Sequence, residues 1–187
     1  MVTGQKGSGS ILRESELLRV RSAMTESQET QTPSDIDRRL QELGLVLPPP
    51  PQPGGVYAPV VIVDRWLYVS GQGPRLADGS LIVGKVGVDL FETEAYSAAR
   101  AVGLTMLSTL RHELGSLNRI ERLVKTLGMV NCVSEFTNHP QVINGFSNLM
   151  VEIFGEVAGK GARSAVGMGS LPSNIPVEVE AVFLLKP

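Results

Sequence analysis

From Val56 onward the apolar positions fall into two periods, two and 3.6, and the switches between them delimit the elements. Val60–Val63 and Leu67–Ser70 flank Asp64-Arg65, which predicts a hairpin with a two-residue turn. Leu81–Val83, after the Asp78-Gly79 turn signal, predicts a third short strand. Residues 89–114 then read as a long helix. Asp89 and Glu92 stand at capping-box spacing, and Phe91, Ala95, Ala98, Val102 and Met106 make an apolar stripe broadened by Ala99, Leu107 and Leu110, with Gly115 as the stop. Residues 121–133 return to strand. Asn138 is the expected cap of a second helix whose stripe is Val142, Phe146, Leu149, Ile153 and Val157, ended by Gly159 and Gly161. Strands near 163–169 and 177–185 enclose the loop Ser170–Asn174.

Before Val56 the pattern is different. Ser34 and Asp37 at capping spacing, with Ile36, Leu40 and Leu43 on one face and Gly44 beyond them, predict a short helix that needs a surface to dock on. Pro48 to Pro51 and Pro53, then Gly54 and Gly55, can neither continue a helix nor pair in a central strand, so they form an extended connector. Residues 1–33 have the polar composition of a disordered leader. Within them Ile11, Leu12, Leu17, Leu18 and Val20 allow a short amphipathic helix, but no apolar run has the length of a signal peptide, and residues 1–23 are consistent with an upstream-start extension. The organisation expected is a leader (1–33), a helix and proline connector (34–55) and a folded domain (56–187).

The element order, ββ(β)αβαββ, is that of an α+β fold: a mixed sheet with two helices on one face. The opposite face of that sheet is left uncovered in a single subunit, which predicts a homo-oligomer. Composition narrows the chemistry further. The chain has 187 residues, 42% hydrophobic, with a formal charge of -2, so the overall balance carries no nucleic-acid or membrane footprint. Two histidines, His112 and His139, and one cysteine, Cys132, provide neither an internal disulfide nor a metal-ligand set at known spacing. Arginine, carboxylates, hydroxyls and backbone amides are left to do the work, in a reducing compartment.

The last strand holds the strongest candidates. Its alternation puts Val177, Val179, Ala181 and Phe183 on one face and Glu178, Glu180, Val182 and Leu184 on the other, so two glutamates open a strand that is otherwise apolar. Arg163 opens the preceding strand, and an antiparallel return would bring Arg163 and Glu178 to the same edge of a cleft. Two readings follow: an ordinary ion pair pinning a hairpin, or an arginine fork for a substrate carboxylate beside a glutamate that activates water.

Several segments carry a resemblance. Ala162-Arg163-Ser164-Ala165-Val166, Leu171-Pro172 and Val177-Glu178-Val179-Glu180-Ala181 resemble the C-terminal signature of the reactive intermediate deaminase family (RidA, also YjgF or "endoribonuclease L-PSP"). Val56-Tyr57, thirteen residues before Ser70-Gly71-Gln72, and Leu123-Val124-Lys125-Thr126 are similar to further family segments in the same order. The resemblance runs from Tyr57 to the C-terminus and is closest to a longer subgroup. It implies a chorismate-mutase-like (bacillus type) homotrimer with clefts between subunits, cytoplasmic, needing no metal or organic cofactor. The activity implied is hydrolysis of reactive enamines and imines such as 2-aminoacrylate to 2-keto acids and ammonia. By position, Arg163 would clamp the carboxylate, Glu178 would position or activate water, Tyr57 and Ser70 would line the pocket, and Gly71 would offer backbone contacts. Ala165 stands where many members have cysteine, and Gly167-Met168-Gly169 replaces a bulkier segment.

Other residues favour plain roles. Tyr57 taken alone is a packing aromatic, and Ser70-Gly71-Gln72-Gly73 lacks the strand-to-helix context of a dinucleotide loop. Cys132, with no histidine close in sequence, is expected to be a small buried hydrophobe. His112 and His139 sit where helix ends place them. Arg111, Arg119, Arg122 and Lys125 are interspersed with Glu113 and Glu121 and lack aromatic neighbours, which favours a solvated face over an RNA groove. Two alternatives to the deaminase stay open: a carboxylate-binding regulatory module without turnover, and a ribonuclease.

Overall fold

The computed structural model describes residues 35–187, so the expectations for residues 1–33 lie outside the described residues. In chain order the elements are α1 (Ile36–Glu42), β1 (Val60–Val63), β2 (Trp66–Gln72), α2 (Glu92–Leu114), β3 (Ile120–Asn131), α3 (His139–Ala158), β4 (Ala162–Met168) and β5 (Val177–Leu185). The strands form one mixed sheet in the order β1-β2-β5-β3-β4. All neighbours are antiparallel except β3 and β4, whose parallel pairing follows from the crossover through α3.

The hairpin forms as expected, with Asp64 in the left-handed region at φ 54°. Leu81–Val83 does not become a strand. It contributes an isolated bridge between Leu81 and Arg75, because the 75–81 loop closes on itself through Leu76 N–H to Ser80 O. α2 begins later than predicted, with Phe91 at its N-cap. Its capping carboxylate is that of Glu94, which accepts from Phe91 N–H at 2.8 Å, while Asp89 instead accepts from Lys85 N–H at 2.8 Å. Asn138 does occupy the N-cap of α3, but its side chain turns away and donates to Glu92 Oε2. The stripe of α3 is buried from Val142 to Ile153 and then lost: Gly155 at φ 83° breaks the helical path, and Val157 emerges 77% exposed.

The core lies between one face of the sheet and the α2–α3 pair, around Leu67, Phe183, Met106, Phe146 and Leu149, all without exposed surface. Burial of core side chains such as these, at about 1.5–3 kcal/mol each, is the dominant favourable contribution. α1 packs into this same core through Ile36 and Leu40, with Ile36 N–H held by Asn118 Oδ1 at 2.7 Å, and Ser108 Oγ donates to the carbonyl of Pro48 in the connector. The helix expected to dock therefore does, against the α3 side. The outer sheet face stays uncovered among the described residues: Val61, Val63, Trp66, Tyr68, Val166 and Met168 are all exposed.

Candidate functional site

The register decides where each candidate falls. Glu178 lies opposite Met129, and Arg163 lies opposite Thr126, with β3 intervening between β5 and β4. Because strand alternation sends odd and even positions to opposite faces, Arg163 shares the helix-covered face with Thr126 and Ala181, whereas Glu178 shares the outer face with Met129 and Val166. The two strands do run antiparallel, but β3 lies between them and the side chains leave on opposite faces, so within one chain the two residues do not meet. Among the described residues there is no ion pair between them, which removes the hairpin-pinning reading.

Glu178 faces a cleft of about 490 Å3 that also takes in Tyr57, Ser70 and Gly71. A bulge in β2 builds this corner: Val69 pairs with Ala181 and Gln72 with Val179, so Ser70 and Gly71 together oppose a single residue. The extra residue turns Gln72 inward, where it is 5% exposed and accepts from Thr109 Oγ1 at 3.0 Å. It also brings the Gly71 backbone against the Glu178 side chain, leaving no room for a Cβ, which would overlap Oε1 and stand 2.9 Å from Cδ. Ser70 Oγ donates to Ala58 O at 2.7 Å, and the Tyr57 hydroxyl accepts from Gly54 N–H at 3.3 Å, so both are held by the chain that leads into β1. Burial pushes the Glu178 carboxyl above its ordinary range, and the neighbouring Glu180 adds to the effect. A carboxyl raised in this way is suited to take up and return a proton.

Arg163 lines a second cleft of about 410 Å3 at the β4 edge. Its Nη1 donates to Asn144 Oδ1 at 2.8 Å and to Ser147 Oγ at 3.1 Å. Asn144 and Ser147 are one turn apart on α3, so a single helix face steers the guanidinium. Both partners are neutral. Burial lowers the arginine's pKa, none of the ion pairs among the described residues includes it, and Glu156 in the same cleft is taken by Lys160, so an incoming carboxylate is the natural counter-ion.

Three residues escaped the sequence reading: Asn144, Ser147 and Arg75, which lines the first cleft. The first two could have been noticed as polar residues flanking the apolar stripe of α3. Cys132 is 6% exposed with its thiol pushed up by burial, in keeping with a small buried residue, but its Sγ lies 3.4 Å from His139 Nε2. The turn over residues 133–138 folds that histidine back, a contact that separation in sequence concealed. The basic stretch disperses: Arg111 pairs with Asp37, Arg119 and Arg122 donate to the Leu114 and Val157 carbonyls, and Lys125 donates to Ser164 on the outer sheet face. Among the described residues, no group of three or more His, Cys, Asp or Glu could hold a metal ion, and no helix is long and apolar enough to cross a membrane.

A mixed sheet backed by two helices, with a bulged strand end facing a half-buried glutamate, defines an α+β protein of the YjgF/chorismate-mutase-like class. Residues 37–182 match the family described as "YjgF/chorismate_mutase-like, putative endoribonuclease", and the chain belongs to that family. The match takes in most of α1 and the proline connector as well as the sheet. The chain is 41% identical over 146 residues to "Protein TCP17" of Trypanosoma cruzi, covering 78% of this chain and 91% of that protein. Among solved structures it is similar to Atu1372 of Agrobacterium tumefaciens, a protein of unknown function, with 39% identity, TM-score 0.74 and coverage of 82% of this chain and 96% of that one. It is also similar to a protein from Shewanella oneidensis titled a "putative endoribonuclease", with 33% identity, TM-score 0.77 and coverage of 81% and 100%.

Proposed function

We propose that the protein hydrolyses reactive 2-imino and 2-enamino acids of the 2-aminoacrylate type to 2-keto acids and ammonia, in clefts formed between the subunits of a homotrimer. The observation that carries this reading is the division of the site. An uncompensated guanidinium, held by Asn144 and Ser147, lies at the β4 edge. A half-buried carboxyl lies against the Gly71 bulge on the other face, where β2 meets the central strand β5. Each is half of a site. A head-to-tail contact that sets the β4 edge of one copy beside the β2–β5 cleft of the next joins the halves, and repetition about an axis closes a ring. The exposed apolar outer face supplies the surface such an assembly buries.

The chemistry asked of the joined site is modest. An enamine gains a proton on carbon to become the imine, and the imine carbon is already electrophilic. Arg163 holds the substrate carboxylate bidentately. The Glu178 carboxylate takes a proton from water as the C–O bond forms and passes it to nitrogen, giving the carbinolamine; it then carries the hydroxyl proton to nitrogen as the C–N bond breaks, so both water protons leave in ammonia and no co-reactant is needed. Orientation and charge placement supply most of the acceleration. Dispersal of the basic residues weighs against the ribonuclease reading.

The test couples a pyridoxal-phosphate dehydratase, which releases 2-aminoacrylate, to detection of the keto acid, comparing the protein with Arg163→Ala and a blank. The expected result is accelerated decay with the wild type and a rate near the blank for the variant. Equal decay in all three would sink the enzyme reading, and keto-acid binding without turnover would favour the regulatory module.

A further inference from the structure

The cleft that holds Glu178 is roomier than a three-carbon substrate requires. Its volume is about 490 Å3, and besides Glu178 and Ser70 it is lined by Pro51, Pro53, Leu81, Ile175 and Arg75. Clefts of this size ordinarily enclose ligands several times larger than 2-aminoacrylate. We propose that the substrate is a 2-imino or 2-enamino acid whose side chain ends in a second carboxylate, and that Arg75 receives that distal group. This rests on the hydrolytic reading above and names its substrate class.

Arg75 is prepared for such a role. Its Nη1 donates to the carbonyl of Gly79 at 2.6 Å, and its backbone N–H donates to Thr105 Oγ1 at 3.2 Å, so both the residue and its side chain are fixed before a ligand arrives. Bracing the 75–81 loop uses only one of the five N–H donors on a guanidinium. None of the ion pairs among the described residues includes Arg75, which leaves a positive charge in the cleft without a carboxylate partner. In the same cleft, Leu81, Ile175 and the connector prolines offer apolar contact to the methylenes of a side chain. A substrate of this class would be gripped at both ends, by Arg163 at the 2-carboxylate and by Arg75 at the distal one, with Glu178 in the same cleft as Arg75.

Calorimetric binding of two stable product analogues to the full chain tests the proposal independently of turnover. The probes are 2-oxoglutarate and 2-oxopentanoate, which have the same five-carbon chain and differ in the distal carboxylate. A charged hydrogen-bonded contact at Arg75 predicts a preference for 2-oxoglutarate of roughly 10- to 100-fold. Arg75→Gln should bring the ratio towards one, and Arg75→Lys, which keeps the charge but loses the fork, should retain part of it. Equal affinity of the wild type for the two acids would overturn the proposal, as would a preference that survives in Arg75→Gln; should that variant fail to fold, the wild-type ratio and the lysine variant still decide. A clear preference with no turnover of any imine would leave Arg75 as the distal carboxylate receptor and overturn the hydrolytic reading, whereas turnover of 2-aminoacrylate with no preference would do the reverse.

Discussion

Adding a single methyl group at Gly71 puts the placement of Glu178 to a sharp test. An alanine Cβ there would overlap Glu178 Oε1 and stand 2.9 Å from Cδ and 3.2 Å from Cγ. The obstructed atoms are the end of a flexible side chain rather than backbone, so the carboxyl rotates away instead of the strand breaking. The rotation costs about 0.5–1.5 kcal/mol if it leaves a preferred rotamer, which lowers Tm by roughly 1–6 °C in a chain of this size. The effect on catalysis should be far larger. A proton-transfer group must stay within hydrogen-bond reach of the water it activates, and its loss typically removes about 10²- to 10⁴-fold in rate. Gly71→Ala should therefore lower kcat for 2-aminoacrylate by about 100-fold or more. KM should move little if, as proposed, Arg163 in the other half of the site holds the substrate carboxylate. Keto-acid formation in the coupled assay gives the rates, and a thermal melt of the same sample gives Tm. Wild-type kcat in a folded Gly71→Ala protein would refute the argument that the bulge positions the carboxyl, and a rate loss matched by the unfolded fraction would reduce Gly71 to a packing residue.

Other expectations bear on stability and assembly. Burial and Glu180 raise the Glu178 pKa, so the ionised form disfavours the folded state: the cost is full above the raised value and fades as pH falls through it towards the unfolded one. Glu178→Gln should then melt higher than wild type at neutral pH, with the gap closing in acid; a gap independent of pH would contradict this. Tyr68 lies on the outer face opposite Val61 and Val182, and Tyr68→Glu would place an unpaired charge in any interface formed there. Light scattering should show it shifted to monomer with native circular dichroism and lost turnover; an unchanged oligomer would mean that another surface carries the contact.

Much of the fold was legible because its elements announce themselves locally. The β1–β2 turn at Asp64-Arg65, the Gly115 stop of α2 and the Val142–Ile153 stripe of α3 each arise from chain geometry within a few residues, and each appears where expected. The failures share a different cause. Leu81–Val83 had the composition of a strand but no partner, and Val157 continued a periodic stripe that one glycine dihedral at Gly155 interrupts. The capping roles expected of Asp89 and Asn138 passed to Glu94 and to a contact with Glu92, since several side chains near each helix start could compete for the same amides.

The site divides in the same way. Sequence by itself determined the candidates: the resemblance singled out Tyr57, Ser70, Gly71, Arg163 and Glu178, and the cost of placing glutamates in an apolar strand, with an arginine opening the strand before it, marked Arg163 and Glu178 independently. It also determined that a face of the sheet would lack cover. Only the tertiary structure decided that Arg163 and Glu178 stand on opposite faces, since that depends on the parallel pairing of β4 with β3 and on its register, which the crossover through α3 sets. Only the tertiary structure brought Asn144 and Ser147 to Arg163, and Arg75 into the cleft of Glu178. Contacts between distant segments are fixed by how layers pack, and a strand's alternation says which residues share a face but not which neighbour that face will meet.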